Sequence, residues 1–222
     1  MSIIIPVVDE AGTIASCLNA LAACRAEGTE VIVVDGGSRD TTVESCAGLA
    51  DRVLQAPRGR ARQMNAGAQA AEADVLLFLH ADTRLPDGAL PAVEQALASG
   101  AAKWGRFDVC IAGRSQLFPL IAGLMNRRSR WSGIATGDQA IFVRRDSFVA
   151  VGGFPDQPLM EDIELSRRLR RRGRPACLRP PVVTSGRRWE RDGVWRTIIL
   201  MWRLRLLYWL GAPAERLARA YR

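Results

Sequence analysis

The sequence predicts an α/β protein in which a mostly parallel central sheet is flanked by helices and followed by a C-terminal helical appendix. Three observations predict it. Short β-branched runs alternate with alanine-rich stretches at helical spacing through the first hundred residues, the pattern of βαβ units. Two runs, Glu30–Asp35 (EVIVVD) and Asp74–Leu79 (DVLLFL), are apolar along nearly their whole length, as strands covered on both faces are. At 222 residues, 48% hydrophobic and 24% charged, the chain can bury one sizeable core, and its composition excludes disordered and fibrous classes.

Ser2–Val8, carrying three consecutive isoleucines, opens the chain as a strand. Gly12–Arg25 follows as a helix ended by Gly28, the residue that most readily adopts the left-handed conformation of a helix stop. Glu30–Asp35 is the second strand, Thr41–Leu49 the next helix, Arg52–Gln55 a short strand, Arg60–Ala71 a helix and Asp74–Leu79 another buried strand. After a helix near Pro91–Ser99 the pattern loosens. Arg106–Ile111 and Ala140–Arg144 have strand composition, Leu117–Arg127 has helical spacing, and Asp162–Arg172 reads as a basic helix stopped by Gly173. No repeat and no linker rich in Gly, Pro or Ser divides the chain, which predicts one domain over residues 1–190 and an appendix over 191–222.

In an open parallel sheet, ligands bind beyond the carboxyl ends of the strands. Three predicted strands run there into acids or glycines: Pro6-Val-Val-Asp9-Glu10, Asp35-Gly-Gly37-Ser-Arg-Asp40 and His80-Ala81-Asp82. Singly, each has a structural alternative, since Asp40 before two threonines caps a helix and Asp-Gly makes an ordinary turn. Together on one edge, the carboxylates repel one another unless a cation or a ligand's hydroxyls lie among them. There is no G-x-G-x-x-G after the first strand and no G-x-x-x-x-G-K-[ST], which excludes the usual dinucleotide cradle and the P-loop. What remains offers Asp35 to a base or ribose, Asp82 to a divalent cation, and Arg58-Gly-Arg60-Ala-Arg62 with Asn65 to phosphate or a sugar ring. Carboxylate oxygens suit Mg²⁺ or Mn²⁺ that shares its shell with substrate phosphates. A nucleoside diphosphate-sugar meets these requirements.

Charge is unevenly spread. Residues 1–110 carry 9 basic and 14 acidic groups and residues 111–222 carry 22 and 9, net −5 and +13, so the second half is expected to face something anionic. The run Arg167-Arg168, Arg170-Arg171-Arg172 and Arg174 reads as a solvated helix face or a phosphate- or membrane-facing one. It lacks the interleaved aromatics that stack on bases, so nucleic acid is not an expected partner. In the tail, Trp195, Trp202 and Trp209 recur every seven residues on one helical stripe beside Arg196 and Arg203, a helix fit to lie on the inner-membrane surface. Arg205 on the opposite side, and apolar residues in nearly every direction, leave packing against the sheet domain or a homodimer partner equally open. Cys17, Cys24, Cys46, Cys110 and Cys177 form no C-x-x-C pair and read as reduced thiols; with no signal peptide, a cytoplasmic place with peripheral membrane contact is expected. Val194–Gly211 contains three arginines and does not read as a simple spanning helix.

The strings Ile3-Ile-Ile-Pro6-Val-Val-Asp9-Glu10, Val33-Val-Asp35-Gly-Gly-Ser-Arg-Asp40-Thr41 and Arg58-Gly-Arg-Ala-Arg-Gln-Met-Asn65-Ala-Gly67 stand in a specific order. Phe78-Leu-His80-Ala-Asp82-Thr83, Gly152-Gly-Phe154 and Glu161-Asp162-Ile-Glu-Leu165 continue it. In this order and spacing the chain resembles a family 2 glycosyltransferase with the GT-A nucleotide-diphospho-sugar transferase fold, over roughly residues 2–180. The resemblance implies sugar transfer from a nucleoside diphosphate-sugar to an acceptor with inversion, Asp162 taking the acceptor's proton and Glu161 orienting or tuning that base. It implies donor contacts from Pro6, Asp9, Glu10, Asp35, Gly37, Arg58, Arg62, Asn65, His80 and Ala81, a Mg²⁺ or Mn²⁺ on Asp82, and an acceptor side that includes Gly137, Asp138, Arg188 and Trp189. Asp35 and Asp82 are expected in one cleft that Asp162 faces. The FLHADT string, with Arg187-Arg-Trp-Glu190 and the Trp/Leu-rich tail, is similar to a bacterial subgroup associated with arsenosugar biosynthesis.

One departure stands out: His80, the only histidine, occupies the first position of the family's D-x-D motif. Its imidazole either donates to a ribose hydroxyl or is a satisfied structural histidine at a strand end, and no second histidine exists to complete a metal shell. Likewise, Glu161-Asp162-Ile-Glu164 also reads as negative charge stabilising a helix N-terminus. Two alternatives to a transferase remain. A sugar-1-phosphate nucleotidyltransferase shares the sheet and the metal, but it normally has a glycine-rich loop with a lysine after the first strand, and the only lysine here is Lys103. A degenerate, non-catalytic nucleotide-sugar-binding scaffold is the other.

Overall fold

The computed structural model describes residues 1–221. One eight-stranded sheet runs in the order β3-β2-β1-β4-β7-β6-β8-β5. The strands are β1 (Ser2–Val7), β2 (Glu30–Asp35), β3 (Arg52–Gln55), β4 (Val75–Phe78), β5 (Thr83–Arg84), β6 (Trp104–Ala112), β7 (Phe142–Arg144) and β8 (Ala176–Ser185). The β3-β2-β1-β4 half is parallel, as is β6 with β8, while β7 and β5 run antiparallel to their neighbours. Alternation along the buried strands divides the core. Ile3, Ile5, Val31 and Val33 face one layer with Ile14, Leu18 and Leu21, whereas Ile4, Ile32 and Val34 face the other with Ala61, Met64 and Ala68.

The helices are α1 (Ile14–Ala20), α2 (Ala22–Ala26), α3 (Arg60–Ala70), α4 (Ala89–Ala98), α5 (Phe118–Ser132), α6 (Arg145–Ala150), α7 (Glu161–Arg170), α8 (Arg187–Asp192), α9 (Val194–Trp209) and α10 (Ala214–Tyr221). The helix expected over Gly12–Arg25 starts at Ile14 and breaks at Leu21 into α1 and α2. The helix expected over Thr41–Leu49 is reduced to a 3₁₀ turn at Glu44–Cys46. Asp40 and Thr42 account for that difference. Asp40 Oδ1 accepts from the Thr42 N–H at 3.0 Å, and Thr42 Oγ1 accepts from the Glu10 N–H at 2.8 Å, so side chains take the place of helical partners and tie this loop to the end of β1. β8 had no counterpart in the sequence reading. Its Pro180-Pro181 cannot donate to a ladder, and the pairing with β6 shifts register there, between Phe107 and Asp108.

α3 lies close on the sheet because Gly67 has no side chain: a Cβ there would come within 2.5 Å of Ile4 Cγ2. On the far side, Leu204 of α9 and Leu217 of α10 are buried against Met160, with Leu159 and Ile163 beside them. The other face of α9 is open, with Trp195, Trp202 and Trp209 exposed by 67%, 71% and 81%. Among the described residues no helix is long and apolar enough to cross a membrane.

Candidate active site

β1 pairs with β2 on one side and β4 on the other, so the segments leaving these three strands share one edge of the sheet. β2 ends in Asp35, which is 1% exposed, opposite Val7 of β1. Its carboxylate accepts from the Gly37 N–H at 3.0 Å, the Ser38 N–H at 3.1 Å and the Ser38 hydroxyl, folding the 36–38 loop back on the strand end. Gly37 has φ +85°, a conformation that costs a side-chain-bearing residue. Asp9, itself left-handed at φ 54°, accepts from the Arg39 N–H at 2.7 Å, and its own N–H donates to Ser38 Oγ at 2.9 Å. Arg58 stands 3.7 Å from the Asp9 carboxylate, and Glu10 holds Thr13 and lies 3.9 Å from Arg187. A cleft of about 650 Å³ results, walled by Asp35, the 36–38 loop, Asp40, Glu44, Gln55 and Arg58. Of the predicted donor residues, Asp35, Gly37 and Arg58 line this cleft, Asp9 is tied to it through Ser38 and Arg58, and Glu10 is tied to the neighbouring loop through Thr42. Pro6 is half-buried within β1, opposite Val34.

A second, narrow pocket is lined by Arg60, two residues on from Arg58 of the wide cleft. Its other walls include His80, Gly137, Phe154, Glu161 and Asp162. Asp35 lines the wide cleft and Asp162 the narrow pocket, where Arg60 pairs with Glu161 at 3.3 Å; Asp82, expected in one cleft with Asp35, lines neither of the two. Asp162 Oδ2 accepts from the Gly137 N–H at 2.8 Å and Oδ1 from the Ile163 N–H at 2.7 Å. Burial, and then the neighbouring Glu161 charge, push its carboxyl up to about 6; the two N–H donors and Arg60 offset part of that. Met160, which precedes it, is left-handed at φ 65° and buried against Leu204, so the first turn of α7 is set by tertiary packing.

His80 belongs to this second pocket. Its Nδ1 lies 3.4 Å from Asp138 Oδ1, and its Nε2 is buried without a hydrogen-bond partner against the Gly137 backbone, where a Cβ would come within 2.6 Å. Burial raises the Asp138 carboxyl, but the His80 hydrogen bond and the charges of His80, Arg60 and Arg188 outweigh it and hold the group below its ordinary value. Ala81 is buried, and Asp82, half-buried after it, accepts among the described residues one side-chain hydrogen bond, from the Thr83 hydroxyl at 3.4 Å. Among the described residues no group of three or more His, Cys, Asp or Glu could hold a metal ion. One carboxylate with unengaged oxygen fits a hard cation whose other ligands are phosphate and water, and does not fit a protein-built cage.

Three predicted residues are engaged elsewhere. Arg62 pairs with Asp156 at 2.8 Å on the surface, and Asn65 clamps the Phe154 backbone, donating to its carbonyl at 2.8 Å and accepting from its N–H at 3.0 Å. Trp189 packs with Val194 and Ile198 against Ile111 and Phe118 and lines neither of the two pockets. Arg188 lies 3.9 Å over the ring of Tyr221 in α10, and the charges around that tyrosine are Arg188, Arg60, Asp138 and Asp162. Tyr221 and Gln63, whose Nε2 donates to the Val7 and Val34 carbonyls at 2.8 Å each, were not singled out from the sequence. Nothing local marks them, since each acts through elements distant in the chain.

With this geometry in view, comparison with known proteins decides the family: the sequence profile described as glycosyl transferase family 2 matches residues 2–153. The chain belongs to that family. This family 2 glycosyltransferase is 30% identical over 173 residues to a PGL/p-HBAD biosynthesis glycosyltransferase of Mycobacterium bovis (strain BCG / Pasteur 1173P2), covering 69% of the chain and 62% of the relative. It spans only that share of the relative's length. Its fold is that of the GT-A glycosyltransferases. It superimposes on glucosyl-3-phosphoglycerate synthase from Mycobacterium tuberculosis in complex with Mn²⁺, UDP and phosphoglyceric acid, with TM-score 0.66 at 19% identity, over 96% of this chain and 78% of that one. It also superimposes on S. aureus TarS 1–349 in complex with UDP-GlcNAc, with TM-score 0.65 at 18% identity, over 83% and 58%. The profile match ends before Glu161 and Asp162, so their roles rest on geometry and on the sequence resemblance.

Proposed function

We propose that this family 2 glycosyltransferase moves a sugar from a nucleoside diphosphate-sugar to a hydroxyl-bearing acceptor with inversion at the anomeric carbon. The observation that carries the reading is Asp162: a carboxylate aimed by the Gly137 N–H, with its pKa raised to about 6, in a pocket whose Arg60 stands two residues from Arg58 of the Asp35 cleft. A base is best matched to its task when its pKa lies near the working pH. The base and ribose of the donor fit the cleft around Asp35 and Gly37, with the diphosphate toward Arg58 and the sugar at the mouth of the narrow pocket, whose own volume of about 10 Å³ is that of a single water. Asp162 takes the acceptor's hydroxyl proton as that oxygen bonds to the anomeric carbon, and the bond to the diphosphate oxygen breaks on the opposite face. The arginines neutralise the charge that the departing diphosphate gains. A Mg²⁺ or Mn²⁺ held by Asp82 would add Lewis-acid stabilisation of the same charge. The M. tuberculosis synthase was crystallised with Mn²⁺ and UDP, which supports the class of ligand.

The experiment is incubation with UDP- and GDP-sugars and Mn²⁺, reading diphosphate release. Release stimulated by an acceptor supports transfer, pyrophosphate exchange points to a nucleotidyltransferase, and silence with retained nucleotide binding points to a scaffold. Asp162→Asn should lower transfer by about 100-fold or more while nucleotide protection in thermal melts stays nearly unchanged. Unchanged turnover in this variant would remove Asp162 from the mechanism.

We further propose that the open face of α9 rests on an anionic membrane surface. Trp195, Ile199, Trp202, Leu206 and Trp209 line that face at helical spacing and are all exposed. Arg196 and Arg203 adjoin them in sequence, within the half of the chain that carries net +13.

A further inference from the structure

The guanidinium of Arg128, in the last turns of α5, forms no hydrogen bond and no ion pair among the described residues, and its Nε and Nη2 atoms are buried. The acids around it are already engaged. Asp108 is shared by Arg106 and Arg130, both Asp162 oxygens accept backbone N–H groups, and Asp138 holds His80. The charges that bear on the guanidinium are Asp162 and Asp138, opposed by Arg106, and burial drives its pKa down. A buried cation beside a catalytic carboxylate, with no partner of its own, leaves a strong hydrogen-bonding group unsatisfied. Nε and Nη2 form one edge of the guanidinium fork, the edge that takes two oxygens of a carboxylate or phosphate at once.

We propose that this edge of Arg128 binds an oxyanion, phosphate or carboxylate, which the substrate brings beside Asp162. The carrier of the anion rests on the transferase reading; the anion-binding property does not. Two carriers share the chemistry, the diphosphate of the donor and an acidic group on the acceptor. If the acceptor carries it, the transferase uses a phosphorylated or carboxylated acceptor, and Arg128 sets its position relative to the base.

The test is a set of thermal melts at constant ionic strength on wild type, Arg128→Gln and Arg128→Lys, titrated with inorganic phosphate and, separately, with UDP plus Mn²⁺. Phosphate should raise the wild-type Tm saturably, and Arg128→Gln should weaken that half-saturation about tenfold or more. Arg128→Lys should fall between them, since it keeps the charge and loses the bidentate edge. Without ligand, Arg128→Gln should melt at the same temperature as wild type or higher, because it removes a buried unpaired charge. Loss of phosphate protection with UDP protection intact assigns the anion to the acceptor; loss of both assigns it to the donor diphosphate. Phosphate protection that is absent in wild type, or equal in wild type and Arg128→Gln, overturns the inference. If UDP protects none of the proteins while the phosphate arm behaves as expected, the transferase reading fails and the anion site stands.

Discussion

At the scale of single residues, Asp162 links structure to pH. Its carboxyl has a higher pKa in the folded protein, about 6 against an ordinary 3.8, so the folded state binds the proton more tightly than the unfolded chain does. Its ionised form therefore destabilises the fold, with a penalty that is absent below about pH 4, grows as pH rises through 6 and is full above it. Two results are expected. The kcat/KM profile should fall on the acid side with an apparent pKa near 6, and Asp162→Asn should melt higher than wild type at pH 8 with a margin that shrinks toward pH 4. A margin independent of pH would show that Asp162 is not charged against its surroundings. Asp82 offers a second test, since it is the one predicted metal ligand with unengaged oxygen. Asp82→Ala should abolish the extra thermal protection that Mn²⁺ adds to UDP and leave the metal-free protection by UDP in place. Mn²⁺-enhanced protection that survives the change would place the cation elsewhere. The strand-end acids stood out in the sequence only as a set, since each singly has a structural use as a cap or turn and it is their convergence on one sheet edge that calls for a cation or ligand. Arg60 and Arg62 were not separable. They sit two positions apart at a helix start, about 200° around the axis, so one meets Glu161 and the other Asp156. Which of them faces inward depends on where α3 begins, and Gly59 at φ +144° fixes that only in the fold.

At the scale of elements, the parallel half was readable because its strands are buried on both faces and its helices follow at short range. The 41–49 segment was misread as a helix because its composition permits one, while the competing side-chain bonds of Asp40 and Thr42 close only once Glu10 is alongside. β8 was hidden by Pro180-Pro181, which a strand tolerates where its ladder is already interrupted. The packing of α9 on α7 was equally illegible: apolar residues point in nearly every direction around α9, and only the structure shows that Leu204 is buried in the cluster with Met160, with Leu200, Met201, Leu207 and Tyr208 partly buried around it. That contact predicts a coupling. Leu204→Ala should cost about 2–5 kcal/mol in chemical denaturation, as buried leucine truncations do. It should also lower kcat with little change in the KM for the donor, because Met160 and Ile163 flank Glu161-Asp162 while no residue packed with Leu204 lines the Asp35 cleft. A destabilised variant with unaltered kcat would show that α7 holds Asp162 in place without α9.

At the scale of the whole molecule, the sheet and α9 assign opposite tasks to two surfaces. The carboxyl edge of the parallel strands collects acids and loop amides, and the acidic first half of the chain, net −5, supplies most of that edge. The second half, net +13, supplies α9, whose inward face is spent on Met160 and α10 and whose outward face is a row of tryptophans and aliphatics. Exposed indole rings beside arginines gain little from water and much from a headgroup layer, where the ring meets acyl chains and the cation meets lipid phosphate. Changing Trp195, Trp202 and Trp209 together to Ser should therefore reduce co-flotation with phosphatidylglycerol vesicles about tenfold or more, with Tm and UDP protection unchanged, since none of the three is buried in the fold. Neutral phosphatidylcholine vesicles should capture wild type more weakly than anionic ones, and added salt should narrow the difference. Flotation equal in wild type and triple variant would remove α9 as the contact. A wild-type dimer in gel filtration that the substitutions convert to monomer, with no flotation of either, would show instead that a second copy of the chain covers this face.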